Sequence, residues 1–147
     1  MDLRLSLLQW EMTAISRWLG AFTAACPPRV GLERSGQTLW VKDFPLPDHF
    51  RPDRVSLALV VDKYPVEPPK GLYLLSEGAN QELLQRLKAS FNIFQDRGFH
   101  GAPSIEGFEW ICLGYLNGWR HNPRAPQRGD NIQKMLAEFW RLLEEKK

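Results

Sequence analysis

The chain has little of what marks a secreted, membrane-spanning or nucleic-acid-binding protein. Only two of its 147 residues are cysteine, Cys26 and Cys112. That excludes a disulfide framework and fits reduced thiols in a cytoplasmic protein. Long apolar runs are missing as well. The N-terminal stretch interrupts its apolar residues with Asp2, Arg4, Gln9 and Glu11, so it has neither a signal-peptide core nor a membrane span, and we expect a soluble, unprocessed chain. Neither sign of charge dominates: 19 basic residues against 17 acidic ones leave +2, too little to steer toward nucleic acid or anionic lipid. There is no glycine-rich phosphate loop, basic–aromatic stripe, internal repeat or low-complexity tract. His49, His100, His121 and Cys112 lack the short spacing of metal ligands, so we expect no metal and no cofactor.

What is present is apolar residue content of 44%, with six tryptophans and eight phenylalanines. At this length that supports one core, and residues 1–147 read as a single domain. Leu5, Leu8, Met12, Ile15, Leu19 and Phe22 recur at three and four, predicting a helix over residues 3–25 that Cys26-Pro27-Pro28 stops. Arg4, Glu11 and Arg17 fall off that stripe, on a polar face open to solvent or a partner. Three strands are predicted next, over 29–34, 38–44 and 54–62, broken by Ser35-Gly36 and by a proline-bearing loop at 45–52. In the third, Val55, Leu57, Leu59 and Val61 alternate with a mixed face, the pattern of a sheet with helix packed on one side.

A fourth strand is predicted at 72–75 and a second helix at 81–94, capped by Asn80. A last helix starts at a capping box, Asp130 with Gln133, and buries Ile132, Met135, Phe139 and Leu142. Strands gathered between helices give an α+β class rather than alternating βαβ units. Residues 98–129 show turn chemistry and little periodicity, as long functional segments in compact domains often do. Cys112 sits there between Ile111 and Leu113, with Trp110 and Trp119 nearby. A buried cysteine in such a run is ordinarily inert packing, and Cys26 reads that way. Its surroundings make Cys112 the candidate reactive atom.

Those surroundings resemble a known family. His100, then Gly107-Phe108-Glu109-Trp110-Ile111-Cys112-Leu113, then Leu116, Trp119 and Pro123 are similar to the active-site run of ubiquitin-conjugating enzymes. There a His-Pro-Asn tripeptide leads through a glycine to Ile-Cys-Leu, and a tryptophan and a proline follow. Tyr64-Pro65-Val66-Glu67-Pro68-Pro69 resembles the family's Tyr-Pro-x-x-Pro-Pro motif after the third strand. The resemblance covers residues 54–143, and a motif gains weight from such ordered context. It implies a ubiquitin-conjugating-enzyme-like fold: an N-terminal helix, a four-stranded antiparallel meander, an inserted helix, an irregular cysteine segment and a C-terminal helix.

The resemblance also implies an activity. Cys112 would accept a ubiquitin-like protein from an activating enzyme as a thioester and pass it to an amine of a target protein. A thiolate is both nucleophile and leaving group, so the exchange is nearly balanced and needs mainly oxyanion stabilisation. The chain departs from the family at that point. His100 is followed by Gly101-Ala102 instead of proline and asparagine, so the usual amide donor is missing. Asn117, Asn122, His121 and a backbone N–H are the candidates to replace it. His100 itself fits a structural turn better than a base.

The polar face of the first helix, with Arg4 and Arg17, is where the resemblance places the activating enzyme. The compact form and inserted helix look like bacterial relatives found in operons with a ubiquitin-like protein, several of them active against phage. Two rival readings stand beside this one. The chain is a noncatalytic interaction module of the same fold, or a thiol hydrolase pairing Cys112 with His121 or His100.

Overall fold

The computed structural model describes residues 3–22, 28–50, 53–70, 72–75, 81–91, 102–103, 105–111 and 119–145, with the backbone alone at 88–91. Five strands pair in chain order as one antiparallel sheet: β1 (Arg29–Leu32), β2 (Thr38–Pro45), β3 (Arg54–Val60), β4 (Leu72–Leu75) and β5 (Phe108–Ile111). Three helices accompany it: α1 (Leu3–Leu19), α2 (Gln81–Phe91) and α3 (Ile132–Glu145). The β1–β2 turn closes where Gly36 N–H donates to Glu33 O at 2.8 Å. Gly36 takes φ 71° there, a conformation open to glycine at little cost.

β2 contains one residue more than β3 between two pairings, Val41 with Leu57 and Phe44 with Val55, and Asp43 takes φ 59° in this bulge. In a strand without this bulge, Val41 and Phe44, three positions apart, would point to opposite faces. With it both are fully buried on the same face. That face, with Leu57 and Leu59 of β3 and Leu72 and Leu74 of β4, packs in one core with Leu8, Ile15 and Leu19 of α1, Leu83, Leu84 and Leu87 of α2, and Met135, Leu136 and Phe139 of α3. The opposite face is covered too. Ala58, Val60, Tyr73 and Trp110 form a smaller buried cluster with Ala102, and Ile105 lies against it.

The α+β class agrees with the sequence reading, and the strand count is corrected from four to five. Residues 98–129 read as irregular because glycine and proline dominate them, yet Phe108–Ile111 is a strand. Gly107, at φ 81°, lies in a turn where Phe108 N–H donates to Ile105 O at 3.1 Å. The β-favouring residues that follow then pair in register, Tyr73 with Trp110 and Leu72 with Ile111. Trp110 Nε1 donates to Lys70 O at 2.8 Å and the Tyr73 hydroxyl to Pro103 O at 2.6 Å, fixing both rings.

The helices needed three further corrections. α1 is regular only to Leu19, and Ala21 and Phe22 continue in tighter bonds to Trp18 and Leu19. Its buried line is Leu8, Glu11, Ile15 and Leu19, so Glu11 is inside at 0% exposure while Leu5, expected in the stripe, is 40% exposed. The cap of α3 is Asn131 rather than Asp130: Asn131 Oδ1 accepts from Lys134 N–H at 2.9 Å, and Asp130 Oδ2 instead accepts from Arg120 N–H at 2.6 Å. Asn80, the expected cap of α2, and residues 92–94 lie outside the described residues.

Candidate functional site

β5 ends at Ile111, which is fully buried and pairs with Leu72 at the edge of the sheet. Cys112 follows directly and lies outside the described residues, as do His100, Asn117 and Cys26. The chain is described again from Trp119. Its ring stands edge-on to Tyr64, with centroids 6.1 Å apart. The stretch bearing Cys112 therefore leaves from a sheet residue and returns to a tyrosine in the turns that follow β3.

Tyr64 is buried at the centre of a small polar cluster. Its hydroxyl donates to Glu11 Oε2, its ring centroid is 5.7 Å from that of His121, and the Tyr64–Pro65 bond is cis. Glu11 Oε2 also accepts from Ile132 N–H at 3.0 Å, so a residue of α1 bonds the first turn of α3. A helix N-terminus offers unpaired N–H groups and a partial positive charge, which suit a carboxyl group. Burial is the dominant influence on Glu11 and raises its pKa above the ordinary value, against the lowering effect of the Tyr64 and Ile132 bonds.

His121 belongs to a loop closed at its neck. Arg120 N–H donates to Asp130 Oδ2 and Asp130 N–H to Arg120 O at 2.8 Å. His121 Nδ1 sits 3.2 Å from Asp130 O, while Nε2 is buried with no hydrogen-bond partner among the described residues. Asn122 Oδ1 accepts from the N–H groups of Arg124 and Ala125 at 3.0 and 3.1 Å, a local turn of the Asx kind. At the loop's far end Asn131 Nδ2 donates to Pro126 O at 3.0 Å, and Lys134 Nζ to Gln127 O and Gly129 O at 2.9 and 2.8 Å. His121 and Asn122, both raised as oxyanion donors, are thus held by backbone groups of their own loop.

The two arginines expected on a partner face are in different situations. Arg4 donates to Gly36 O at 2.6 Å and to Val61 O, tying α1 to the β1–β2 turn and to the residue after β3. Arg17 is exposed beside a shallow groove lined by Gln9, Met12, Thr13, Ser16 and Val30. At 1.5 Å per helical residue the two are about 20 Å apart along the axis. His49 lies elsewhere, its Nε2 3.2 Å from Leu143 O. Among the described residues no three His, Cys, Asp or Glu side chains are grouped to hold a metal ion, and no helix is long and apolar enough to cross a membrane.

Sequence reasoning missed Glu11. Its signal was present: Glu11 stands three residues after Leu8 and four before Ile15, on the line that faces the core. Comparison with protein-family models, with curated proteins and with solved structures found no match for this chain.

Proposed function

We propose that the chain is a ubiquitin-conjugating-type transferase that carries a ubiquitin-like protein on Cys112. The reading rests on the resemblance of the segments around Tyr64 and Cys112. One observation supports it most: Ile111 anchors the near side of the cysteine-bearing stretch in β5, and Trp119 anchors the far side on Tyr64. The two motifs of the resemblance thus meet in space at that tyrosine.

In the reaction the Cys112 thiolate attacks the modifier's thioester carbonyl on the activating enzyme. The tetrahedral oxyanion collapses with release of that enzyme's thiolate, and the modifier is now a thioester of Cys112. An amine of the target protein then attacks, forming an amide, releasing the Cys112 thiolate and losing a proton to solvent. Oxyanion stabilisation falls to a backbone N–H or to Asn117, Asn122 or His121. Arg17 is the exposed arginine of α1 available to an activating enzyme. A cytoplasmic role in a bacterial conjugation pathway directed against phage goes with this reading.

The test combines ATP, the chain, a ubiquitin-like protein and its activating enzyme. A thiol-labile adduct is expected with the wild type and a thiol-resistant ester with Cys112→Ser. Absence of both rejects the reading.

A noncatalytic interaction module has one observation in its favour. Ala102, where the family carries its asparagine, is 4% exposed and packs with Tyr73 and Trp110, so that position contributes packing and offers no side-chain donor. On this reading Cys112→Ala retains full function in cells.

A further inference from the structure

We propose that Glu11 is carried as a neutral acid, protonated on Oε1, and that this proton makes the attachment of α3 and its preceding loop to α1 sensitive to pH. Glu11 is fully buried, and its two oxygens are treated unequally. Oε2 accepts from the Tyr64 hydroxyl and from Ile132 N–H. Oε1 is buried and has no hydrogen-bond partner among the described residues. An ionised carboxylate would spread its charge over both oxygens and leave one of them dry and undonated, a costly arrangement. A proton on Oε1 removes the charge and turns that oxygen into a donor. The same cluster holds a second buried polar atom with no described partner, His121 Nε2, in a ring that contacts Tyr64.

The groups facing Glu11 come from each element packed around it. They are Tyr64 from the turns after β3, His121 from the loop before α3, and the N-terminal N–H groups of Ile132 and Gln133 from α3. Asp130 lies behind His121, its carbonyl oxygen at Nδ1 and its carboxylate on Arg120 N–H. No lysine or arginine bonds Glu11 among the described residues. Burial is the largest influence on the carboxyl and acts in the protonating direction.

A carboxyl whose folded-state pKa is raised stabilises the folded state fully at pH below its unfolded value. That stability is lost as pH rises toward the raised value, and levels off beyond it. The interaction weakened by deprotonation joins three parts of the chain: α1, the turns after β3, and the start of α3 with its loop.

The experiment is amide hydrogen exchange at Ile132, whose N–H bonds Glu11, followed across pH in the wild type, Glu11→Gln and Glu11→Ala and corrected for intrinsic exchange. Glutamine reproduces the neutral acid, with a carbonyl for Oε2 and an NH2 donor for Oε1. Wild-type protection should fall with rising pH by as much as about tenfold per unit before levelling. Glu11→Gln should match the wild type at the acidic end and stay flat, and Glu11→Ala should be unprotected throughout. Wild-type protection that is constant or grows with pH overturns the proposal. So does a Glu11→Gln chain that exchanges like Glu11→Ala or fails to fold, because glutamine supplies every bond the neutral acid makes. As a readout independent of variants, the Glu11 carboxyl carbon resonance should show the protonated form above the titration of the exposed carboxylates. Titration together with them overturns the proposal as well.

Discussion

Gly31 lies directly against the Trp40 ring, its partner across β1 and β2: a Cβ placed on Gly31 would come within 2.0 Å of Trp40 Cζ2. The rigid indole, not a flexible side-chain end, occupies the space. Lys42 Nζ also lies 4.8 Å from the same ring centroid. Gly31→Ala should therefore lower unfolding stability by about 1–3 kcal/mol, the usual range for forced overpacking. Denaturant titration checks this, and in a Trp40→Leu background the same substitution should cost less.

Removing only the Tyr64 hydroxyl separates its bond to Glu11 from its ring contacts. Tyr64→Phe keeps the packing on Trp119 and His121 but deprives a buried carboxyl oxygen of one of its two donors. The expected loss is about 1–3 kcal/mol in thermal or denaturant unfolding. An unchanged stability would mean that the hydroxyl bond contributes nothing net.

The two arginines of α1 should behave oppositely. Arg4→Ala leaves Gly36 O and Val61 O without a charged donor, a loss of about 1–3 kcal/mol for a part-buried site. Arg17→Ala touches an exposed position and should stay within about 0.5 kcal/mol of the wild type. If the proposed function holds, Arg17→Ala should slow thioester formation on Cys112 while stability is retained, which single-turnover loading with activating enzyme measures.

Asn131→Ala removes both the cap of α3 and the bond to Pro126 O. We expect about 1–2 kcal/mol of destabilisation. Asp130→Ala leaves that cap in place and should act on the loop neck instead, read as faster exchange of Arg120 N–H.

The elements with a clean period were legible in the sequence. The boundaries of β4 were read without error, and β3 differed only at its end. α1 was located and Leu8, Ile15 and Leu19 of its stripe are buried, but Leu5 was put inside and Glu11 outside, because Leu3, Leu5, Leu7 and Trp10 add apolar residues off the buried line and blur the stripe. β5 was hidden by its glycine- and proline-rich surroundings, and its pairing with β4 is a long-range choice that no local pattern records. The Asp130 cap was a near miss. Asp130 and Asn131 are both good capping residues, and the choice follows from the Arg120 backbone claiming the first. For the site, Tyr64 was legible as a motif, but its bonding to Glu11 joins residues 53 positions apart in the chain. The functional reading of Cys112 comes from the sequence resemblance, since Cys112, His100 and Asn117 lie outside the described residues.

Four of the five strands follow one another through short connections, whereas β5 joins β4 only after the chain has passed through 76–107, including α2. Loop closure over such a length makes this seam entropically the most demanding of the four strand pairings. Among the described residues β5 is also a border strand, paired with β4 alone. Detaching it would release Ile111 while the β1–β4 zipper stays shut, so opening the doorstep of the cysteine need not unzip the rest of the sheet.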